Sequence, residues 1–359
     1  MKLFIEASAL NKNFQGTYTY VYEIIRSLNK KYGHNLELII GVLCKKDIPS
    51  SIKNRPNIKI VEYKSRFKFY RFTIEIPLLL KKYRIKNALF QYFIPLLNFN
   101  KCNYFVVIHD VLFLDFKFLF SKSYSFFRYL IFGFSARCSA KIFTVSSYSK
   151  KRITQHFKVE SNKVYITPNG ISEEFKSFSY SKDESKEFIL NKFNLSDYCL
   201  FVSRFEVRKN HKILIKNISK LPSKNLVFIG SSRNISKEIN YMIDSNDNIY
   251  AFENVAFTDL LHFYNASELF LYPSLAEGFG IPPLEAGVLC TPVVCASNTA
   301  LSDFKELSFC MFDLKSEQSF LNSLTSFVKD KKELEKTKIM IINKYNWVNT
   351  SDIIFDNIL

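Results

Sequence analysis

Two carboxylates eight positions apart, Glu277 and Glu285, bracket a short loop that contains the glycines Gly278 and Gly280. Glycine adopts backbone conformations that other residues avoid, and it lets a ligand approach the main chain closely. An apolar run precedes the loop, and two prolines follow it where a helix would begin, with Glu285 in its first turn. A strand, a glycine loop and a helix N-terminus in this order can bind a phosphate. The stretch therefore predicts either an anion site or an ordinary crossover whose acids cap the helix.

Glycine is scarce in this sequence, which gives weight to the positions where it occurs. The 359 residues include 9 glycines, well below the ~7% of average usage. More than half of them fall at predicted strand ends or turns, where backbone freedom serves a ligand-facing loop. These glycines are Gly16, Gly170, Gly230, Gly278 and Gly280.

A second group of candidate residues lies in the charged segment 204–211, between a predicted strand at 198–203 and a following helix. Its candidates are Arg204 and Lys209. Cations at the start of a helix can neutralise a diphosphate and stabilise it as a leaving group. The alternative is a charged loop on a solvated surface.

One histidine, His109, follows directly after an apolar strand at 105–108 and precedes Asp110. A histidine inside an apolar run is usually a core residue. Ligands of open α/β sheets, however, bind at the carboxyl ends of the strands. We therefore expect His109 to face the active site.

Strands and helices alternate along both halves of the chain, which predicts an α/β fold with parallel sheets and right-handed crossovers. A helix is predicted to open at Gly16, and others over 258–266 and 317–328. The predicted strands are 3–7, 36–43, 58–63, 88–93, 104–109 and 141–145 in the first half, and 198–203, 226–229, 249–252, 269–272 and 291–295 in the second.

Composition is that of a globular chain long enough for two domains. Seven scattered cysteines without CxxC pairs argue against a disulfide framework or a zinc site. The first residues run straight into a strand pattern, without the apolar core of a signal peptide. No charge-free apolar run reaches the ~18 residues of a membrane span. We therefore expect a cytoplasmic protein with reduced thiols.

The positive charge is concentrated in the first half. Residues 1–170 carry 29 Lys and Arg against 9 Asp and Glu, a net charge of +20, whereas the remainder carries 21 against 24. The densest basic-aromatic stretch is 65–72, continued by 81–84. Such a stretch predicts contact with an anionic membrane surface. Stacking on single-stranded nucleic acid uses the same residue types, and a packed helix with a solvated basic face is the third possibility.

With their flanks, these motifs resemble those of the retaining glycosyltransferases of family 4, which have the GT-B fold. The resemblance is strongest over 198–296 and loosest over 44–87. It implies two Rossmann-like domains facing across a cleft, with a C-terminal helix that returns to the first domain. The matching segments are the Glu-x7-Glu stretch with its flanks from 265 to 294, the 204–211 segment, His109-Asp110, 145–151 and Pro168-Asn169-Gly170. The domains expected from it are 1–171 and 197–340, with a linker at 172–196 and the returning helix at 341–359.

The resemblance also implies roles for the candidate residues in binding a nucleotide-diphosphate sugar. Glu285 would bind the ribose hydroxyls and Glu277 the hydroxyls of the sugar, positioning rather than attacking. Lys209 and Arg204 would hold the diphosphate, and His109 would contact the sugar. Main-chain contacts to the donor are expected at Gly16, Gly230, Val255, Gly278, Phe279 and Gly280. Cys290 stands where relatives usually have glycine, so we expect that turn to be built differently.

The function implied is retaining transfer of a sugar from a nucleotide sugar to a lipid-linked glycan of a bacterial surface polysaccharide such as O-antigen. The segment 206–210 resembles the mannosyltransferase branch and suggests GDP-mannose. No Asp-x-Asp pair is present, so we expect no metal cofactor. The enzyme would sit on the inner face of the cell membrane and bind no nucleic acid. The alternatives are a GT-B-shaped epimerase or phosphorylase, an inactive family member and a basic nucleic-acid-binding protein.

Overall fold

The computed structural model describes residues 1–11, 16–99, 101–233, 235–305, 307 and 309–359. The chain divides into two compact units. The first unit comprises 1–170 together with 346–359, and the second unit comprises 171–345.

Within the described residues, the first unit contains a sheet of seven parallel strands in the order β3-β2-β1-β4-β5-β6-β7. The order reverses between β1 and β4. The central strands of this sheet are buried on both faces, as a parallel sheet covered by helices requires. The strands are β1 Lys2–Glu6, β2 Glu37–Val42, β3 Ile58–Glu62, β4 Asn87–Gln91, β5 Asn103–Val107, β6 Lys141–Thr144 and β7 Val164–Ile166.

The sheet of the second unit has six parallel strands in its described part, in the order β10-β9-β8-β11-β12-β13. Counted from the first strand of each unit, both sheets follow the doubly wound order 3-2-1-4-5-6. Ligands of such folds bind where the order reverses, which here is between β8 and β11. The strands are β8 Tyr198–Val202, β9 Asn225–Ile229, β10 Ile249–Phe252, β11 Leu269–Tyr272, β12 Val293–Ala296 and β13 Cys310–Phe312.

Helices connect the strands in both units. In the first unit they are α1 Gly16–Tyr32, α2 Ser50–Lys53, α3 Lys68–Tyr70, α4 Ile76–Lys82, α5 Leu112–Asp115, α6 Lys122–Cys138 and α7 Ser147–Phe157. In the second they are α8 Glu173–Ser177, α9 Lys182–Phe193, α10 His211–Lys216, α11 Lys237–Asp244, α12 Phe257–Ala266, α13 Ile281–Val288, α14 Glu317–Ser326 and α15 Lys331–Lys344. A final helix, α16 Trp347–Ile358, follows.

The strands missed from the sequence are β7 and β13. Each has only three residues, too short for a run of buried side chains to stand out. No helix in the described part of the chain is long and apolar enough to cross a bilayer.

The segment 172–196, expected from the sequence as the interdomain linker with a short helix, contains two helices. It belongs to the second unit and forms α8 and α9. Ring stacking joins α9 to α12, since Phe188 lies 4.1 Å from His262. An ion pair of 2.7 Å between Lys192 and Asp259 joins the same two helices. The polar composition of the segment hid these contacts because they depend on a partner helix far away in sequence.

The chain end returns to the first unit through α16 alone, whereas α15 stays with the second unit. Tyr32 of α1 stacks on Phe355 at 3.6 Å and donates a hydrogen bond of 2.7 Å to Asp352. The Pro168-Asn169-Gly170 turn also receives this helix, because Thr350 donates to the Pro168 carbonyl at 2.6 Å. A Cβ on Gly170 would lie only 2.6 Å from the backbone nitrogen of Trp347, so this close approach of the turn to α16 requires glycine.

The turn at Cys290 has the backbone that a glycine would favour, so the expectation of a differently built turn is wrong. Cys290 has φ +56°, in the left-handed region. It follows α13 in a Schellman arrangement, in which the Cys290 and Thr291 amides donate to the carbonyls of Gly287 and Ala286. Cysteine stands here in place of glycine, but the backbone keeps the left-handed conformation that glycine favours.

Replacing Cys290 by glycine should therefore stabilise the protein by roughly 0.5–1 kcal/mol, because a residue with a Cβ is strained in the left-handed region. Urea unfolding at equilibrium measures the change. Cys290→Ala is the matched control, since it removes the sulfur but keeps the Cβ, and it should bring no gain. Equal gains in both variants would show that the thiol, not the backbone, is the source.

Candidate functional site

The two motifs singled out in the second half of the sequence meet where the strand order of the second unit reverses. The charged segment follows β8 and the glycine loop follows β11, and these strands are hydrogen-bonded neighbours. The Leu275 amide donates to the Arg208 carbonyl at 2.7 Å, and the Ser274 hydroxyl oxygen lies 3.1 Å from the same carbonyl oxygen. The structure thus joins two loops that lie more than sixty residues apart in the chain.

A buried carboxylate, Glu277, is the centre of this junction. Lys209 Nζ lies 2.6 Å from its Oε1, and Arg208 Nη1 lies 3.0 Å from its Oε2. The hydroxyls of Ser274 and Tyr272 also donate to Oε1, at 2.6 and 3.1 Å. Lys209 and Glu277 expose 7% and 6% of their surfaces. Each charge is therefore compensated within the protein rather than by water.

The charge state of this cluster follows from its contacts. Burial by itself would raise the pKa of Glu277, but Lys209 and Arg208 outweigh it and lower the pKa to about 2. Burial lowers the pKa of Lys209, and the attraction of Glu277 opposes this shift. Since the two groups are in contact, we take Glu277 as ionised and Lys209 as its charged partner.

Arg208 is a site residue that the sequence reasoning did not assign. Its Nε lies 2.7 Å from Glu206, whose other oxygen lies 3.0 Å from Arg204. Charges alternate along 204, 206 and 208, a spacing of two that could have pointed to one connected network. Arg204 lies at its outer end, with 58% of its side chain exposed. Arg204 is therefore the cation of the segment best placed to meet a ligand.

The glycine loop leads into α13 as expected. Gly280 has φ +101° and precedes the first residue of the helix, and a Cβ there would lie 2.6 Å from Leu301. Phe279 is buried, and its ring packs edge-on against Phe304 and Tyr345. Only the main chain of Phe279 is thus a candidate for ligand contact. Gly278 lies between Phe279 and Glu277 in the chain.

The second carboxylate, Glu285, has a different environment. It lies in the second turn of α13, not the first, because the helix begins at Ile281. Tyr264 donates a hydrogen bond of 2.7 Å to its Oε2, and no ion pair to it is present among the described residues. Burial raises the pKa of Glu285 to about 7, and the Tyr264 hydrogen bond opposes the shift only in part.

The other expected contacts of the second unit are loop positions at the same sheet edge. Gly230 directly follows β9, and a Cβ there would lie 2.0 Å from the Ser203 carbonyl oxygen. Only a glycine permits this approach of the two loops. Val255 is half-buried in the loop between β10 and α12.

His109 and Gly16 lie in the first unit. His109 follows β5 and is 8% exposed, with Nε2 at 3.2 Å from the Gln91 side-chain oxygen. The rings of Tyr20 and Tyr92 flank it at 4.8 and 5.3 Å. Burial lowers the pKa of His109 to about 4, so the imidazole is neutral at physiological pH. Gly16 is the first residue of α1, and no atom of the described residues outside its chain neighbours and helix backbone lies within 4 Å of where a Cβ would be.

Two family models match this chain, one in each half. Residues 14–175 match Glycosyltransferase Family 4, and residues 182–347 match Glycosyl transferases group 1. The chain belongs to the group 1 glycosyltransferases of family 4. The family resemblance predicted from the motifs is confirmed.

Curated relatives are similar at low identity and mostly longer. The chain is 26% identical over 226 residues to the serotype-specific mannosyltransferase WbdA of Escherichia coli, covering 58% of this chain and 27% of WbdA. It is 27% identical over 208 residues to the O-antigen chain mannosyltransferase RfbU of Salmonella typhimurium, covering 56% and 53%. An E. coli UDP-Gal:alpha-D-GlcNAc-diphosphoundecaprenol alpha-1,3-galactosyltransferase is 26% identical over 241 residues, covering 62% and 61%. This chain thus aligns with between 27% and 61% of the length of these relatives.

Two solved structures share the fold over the whole length of this chain. HepE of Anabaena, in complex with UDP and glucose, has a TM-score of 0.74 at 13% identity, covering 99% of this chain and 98% of HepE. WaaG, a glycosyltransferase involved in lipopolysaccharide biosynthesis, has a TM-score of 0.70 at 14% identity, covering 100% and 99%. The fold class predicted for this family member, an α/β protein of the GT-B type, is confirmed.

Glu285 gives a stability prediction with a definite sign. Its folded pKa of about 7 lies above the usual ~4.3 of a glutamate, so its stabilising contribution is complete below pH 4 and is lost as pH rises through 7. The glutamine side chain introduced by Glu285→Gln cannot ionise. The unfolding free energy of the variant minus that of the wild type should therefore increase by on the order of 2 kcal/mol from pH 5 to pH 8.5.

Urea unfolding of both proteins at the two pH values tests this. Glu187→Gln, on the exposed face of α9, is the matched control for the substitution itself. A constant difference between Glu285→Gln and the wild type at both pH values would contradict the raised pKa.

Proposed function

We propose that this chain is a retaining glycosyltransferase that moves a sugar from a nucleotide-diphosphate sugar to an acceptor of bacterial surface polysaccharide synthesis. The observation that carries the proposal is the buried Lys209–Glu277 pair beside the glycine loop. It lies where a doubly wound sheet binds ligands, and Glu285 follows one helical turn beyond the loop. A relative named as an O-antigen chain mannosyltransferase supports this class of reaction.

In this proposal the cations and the helix N-terminus neutralise the donor diphosphate. Arg204 makes the outermost contact, and Lys209 and Arg208 set a positive potential behind it. Both oxygens of Glu277 already accept hydrogen bonds from cations. A carboxylate held in this way is a weak nucleophile, so Glu277 fits the role of positioning the donor sugar. Transfer then needs no metal ion on the diphosphate.

His109 and Glu285 would bind the donor through hydrogen bonds rather than through ion pairs. Neutral His109 can donate or accept a hydrogen bond to a sugar hydroxyl, with its orientation set by Gln91. Glu285 has no cationic partner among the described residues, so its ionised form is stabilised once ribose hydroxyls donate to it. Donor affinity should therefore fall together with the ionised fraction of Glu285.

The donor we propose is GDP-mannose. The 206–210 segment resembles that of the mannosyltransferase branch, and relatives named as mannosyltransferases support it. A relative named for UDP-Gal is similar at the same identity, so UDP-galactose is the competing donor to be tested in parallel.

Calorimetry with GDP and UDP, in buffer containing EDTA, tests the donor site through Arg204→Gln. A charge-assisted hydrogen bond contributes about 1.5–3 kcal/mol, so the variant should bind the preferred nucleotide at least ~10-fold more weakly. Its fold should be intact because the side chain is exposed. The wild type should also release GDP from GDP-mannose when membrane extract supplies acceptor.

Lys212→Gln is the matched control, because Lys212 lies in α10 just beyond the loop and pairs with Glu238 instead. It should bind nucleotide as the wild type does. If the wild type binds neither nucleotide, or if binding requires a divalent cation, the proposed donor site is wrong.

The proposed location is the inner face of the cell membrane, with the first unit as the contact surface. Part of the predicted basic-aromatic stretch is unsuited to this role. Arg71 and Phe72 are buried, and the Arg71 guanidinium donates to the carbonyls of Ser65 and Arg66. Large exposed apolar residues nevertheless occur in three segments of this unit: Phe67, Phe69 and Tyr70; Leu96, Leu97 and Phe99; and Phe118, Phe126, Phe127, Leu130 and Ile131.

Flotation with anionic liposomes should separate the charge and apolar contributions. Arg66→Ser with Lys81→Ser and Lys82→Ser should remove salt-sensitive binding, since each basic residue contributes about 1 kcal/mol near an anionic surface. Phe126→Ser with Phe127→Ser should remove binding that survives high salt.

The control removes three exposed lysines of the second unit, Lys237, Lys332 and Lys336. It should float as the wild type does. If it loses binding as strongly as the first-unit charge variant, attraction is not localised to the first unit.

A further inference from the structure

A cavity of the second unit lies at the amino ends of its strands, at the edge of the sheet opposite to the glycine loop. It is lined by Asp197, Lys224, Glu268 and Pro292, which directly precede β8, β9, β11 and β12. Ligands of doubly wound sheets bind at the carboxyl ends of the strands, so this cavity is separate from the donor site proposed above. It measures about 1060 Å³, at the upper end of the ~300–1,000 Å³ typical of ligand sites. The cavity therefore has room for a molecule much larger than a single phosphate.

Lysines from separate segments of the second unit surround this cavity. They are Lys182 in α9, Lys224 before β9, Lys329 before α15, and Lys331 and Lys338 in α15. Lys182 and its neighbour Lys186 pair with Glu268 at 3.3 and 2.6 Å. The other four lining lysines form no ion pair within the part of the chain that the structure describes. Their charges are therefore available to a ligand.

The lining of the cavity is positive, whereas the unit that contains it is not. Residues 171–345 carry 21 Lys and Arg against 22 Asp and Glu. The lining has five lysines against three acids, Asp197, Glu268 and Glu335. Burial, together with the charge of Glu335, raises the pKa of the Cys290 thiol in the lining to about 11, so this thiol stays protonated and adds no negative charge. A solvated surface of this unit would have about as many acids as bases, so the excess of lysines here favours an anionic ligand.

Aromatic side chains lie among these cations. Tyr180 lines the cavity and is 56% exposed, and its ring packs edge-on against His262 at 4.8 Å. The main chain at this tyrosine is held in place, because the Asn265 side-chain amide donates to the Tyr180 carbonyl at 3.0 Å. In another segment of the lining, Lys329 Nζ lies 4.7 Å from the ring centre of Phe327. A nucleobase can stack on an exposed tyrosine. The lining thus combines cations for phosphates with a ring for a base.

We propose that this cavity is a second ligand site, which binds a nucleoside polyphosphate with its phosphates on the unpaired lysines and its base on Tyr180. Lysine ammonium groups are point charges on flexible stems, so several of them can follow a chain of phosphates. The cavity shares no residue with the 204–211 segment or the glycine loop. The site therefore goes beyond the transfer reaction proposed above and does not depend on it.

Equilibrium dialysis with ATP, in buffer containing EDTA, tests the site. ATP is the probe because it joins a base to three phosphates and is the nucleotide of neither proposed donor. The triple variant Lys224→Gln, Lys331→Gln, Lys338→Gln should bind ATP at least ~10-fold more weakly than the wild type, since the loss of one charge-assisted hydrogen bond is enough for that factor. Added salt should weaken ATP binding by the wild type as well. Thermal midpoints equal to that of the wild type show that the variants are folded.

The matched control is Lys220→Gln, Lys332→Gln, Lys336→Gln, which removes the same number of exposed lysines from the same parts of the chain but outside the lining. It should bind ATP as the wild type does. Arg204→Gln should also leave ATP binding unchanged while it weakens binding of the donor nucleotide, so the two sites fail separately. The proposal is overturned if the wild type does not bind ATP, if the control loses as much affinity as the triple variant, or if Arg204→Gln abolishes ATP binding.

Inorganic triphosphate tests the contact with the base. The wild type should bind ATP at least about fivefold more tightly than triphosphate, because a base stacked on an aromatic side chain contributes at least that factor. Tyr180→Ser should lose this preference and keep the affinity for triphosphate. Tyr241→Ser, at a tyrosine of α11 that is 73% exposed and outside the lining, should keep the preference. Equal affinities of the wild type for ATP and triphosphate would assign the cavity to a plain polyphosphate and would overturn the nucleoside ligand.

Discussion

The ion pair between Lys209 and Glu277 ties the second unit together at its ligand-binding edge. Both side chains are buried, so each has lost its hydration and depends on the other. Removing either partner would leave an uncompensated charge, a cost of about 3–5 kcal/mol for buried pairs. Because Arg208 and Ser274 share this contact, the pair also fixes the charged segment against the glycine loop. The geometry of the whole site therefore depends on two atoms 2.6 Å apart.

Two glutamates of one short stretch have opposite environments. The pKa of Glu277 is about 2 because cations surround it, and the pKa of Glu285 is about 7 because burial dominates. Carboxylates with pKa values pushed apart in this way usually have different tasks. Glu277 holds together the two loops beside which the donor sugar is proposed to lie, whereas Glu285 has no cationic partner among the described residues. Retaining such a group costs stability, a cost that the proposed contact with ribose hydroxyls would explain.

The two units use the same strand order for different surfaces. In the second, the reversal point carries an ion network on hydrogen-bonded loops. In the first, it carries a small pocket lined by Glu6, Gln91, Lys68 and Arg128, and exposed apolar residues lie beside the two cations of that pocket in the chain. The excess positive charge of residues 1–170 lies in the unit that contains this pocket.

The sequence by itself determined the α/β class, most strands, the family and the residues that meet at the second reversal point. Buried strands leave long apolar runs, and a glycine loop followed by prolines is visible without a structure. Tertiary structure alone decided what depends on distant partners: Arg208 as a partner of Glu277, Arg71 and Phe72 as buried residues, and 172–196 as part of the second unit. It also decided that Cys290 keeps a left-handed turn. Local pattern reports which residue types are near in the chain, whereas burial and ion pairing depend on residues that only folding brings into contact.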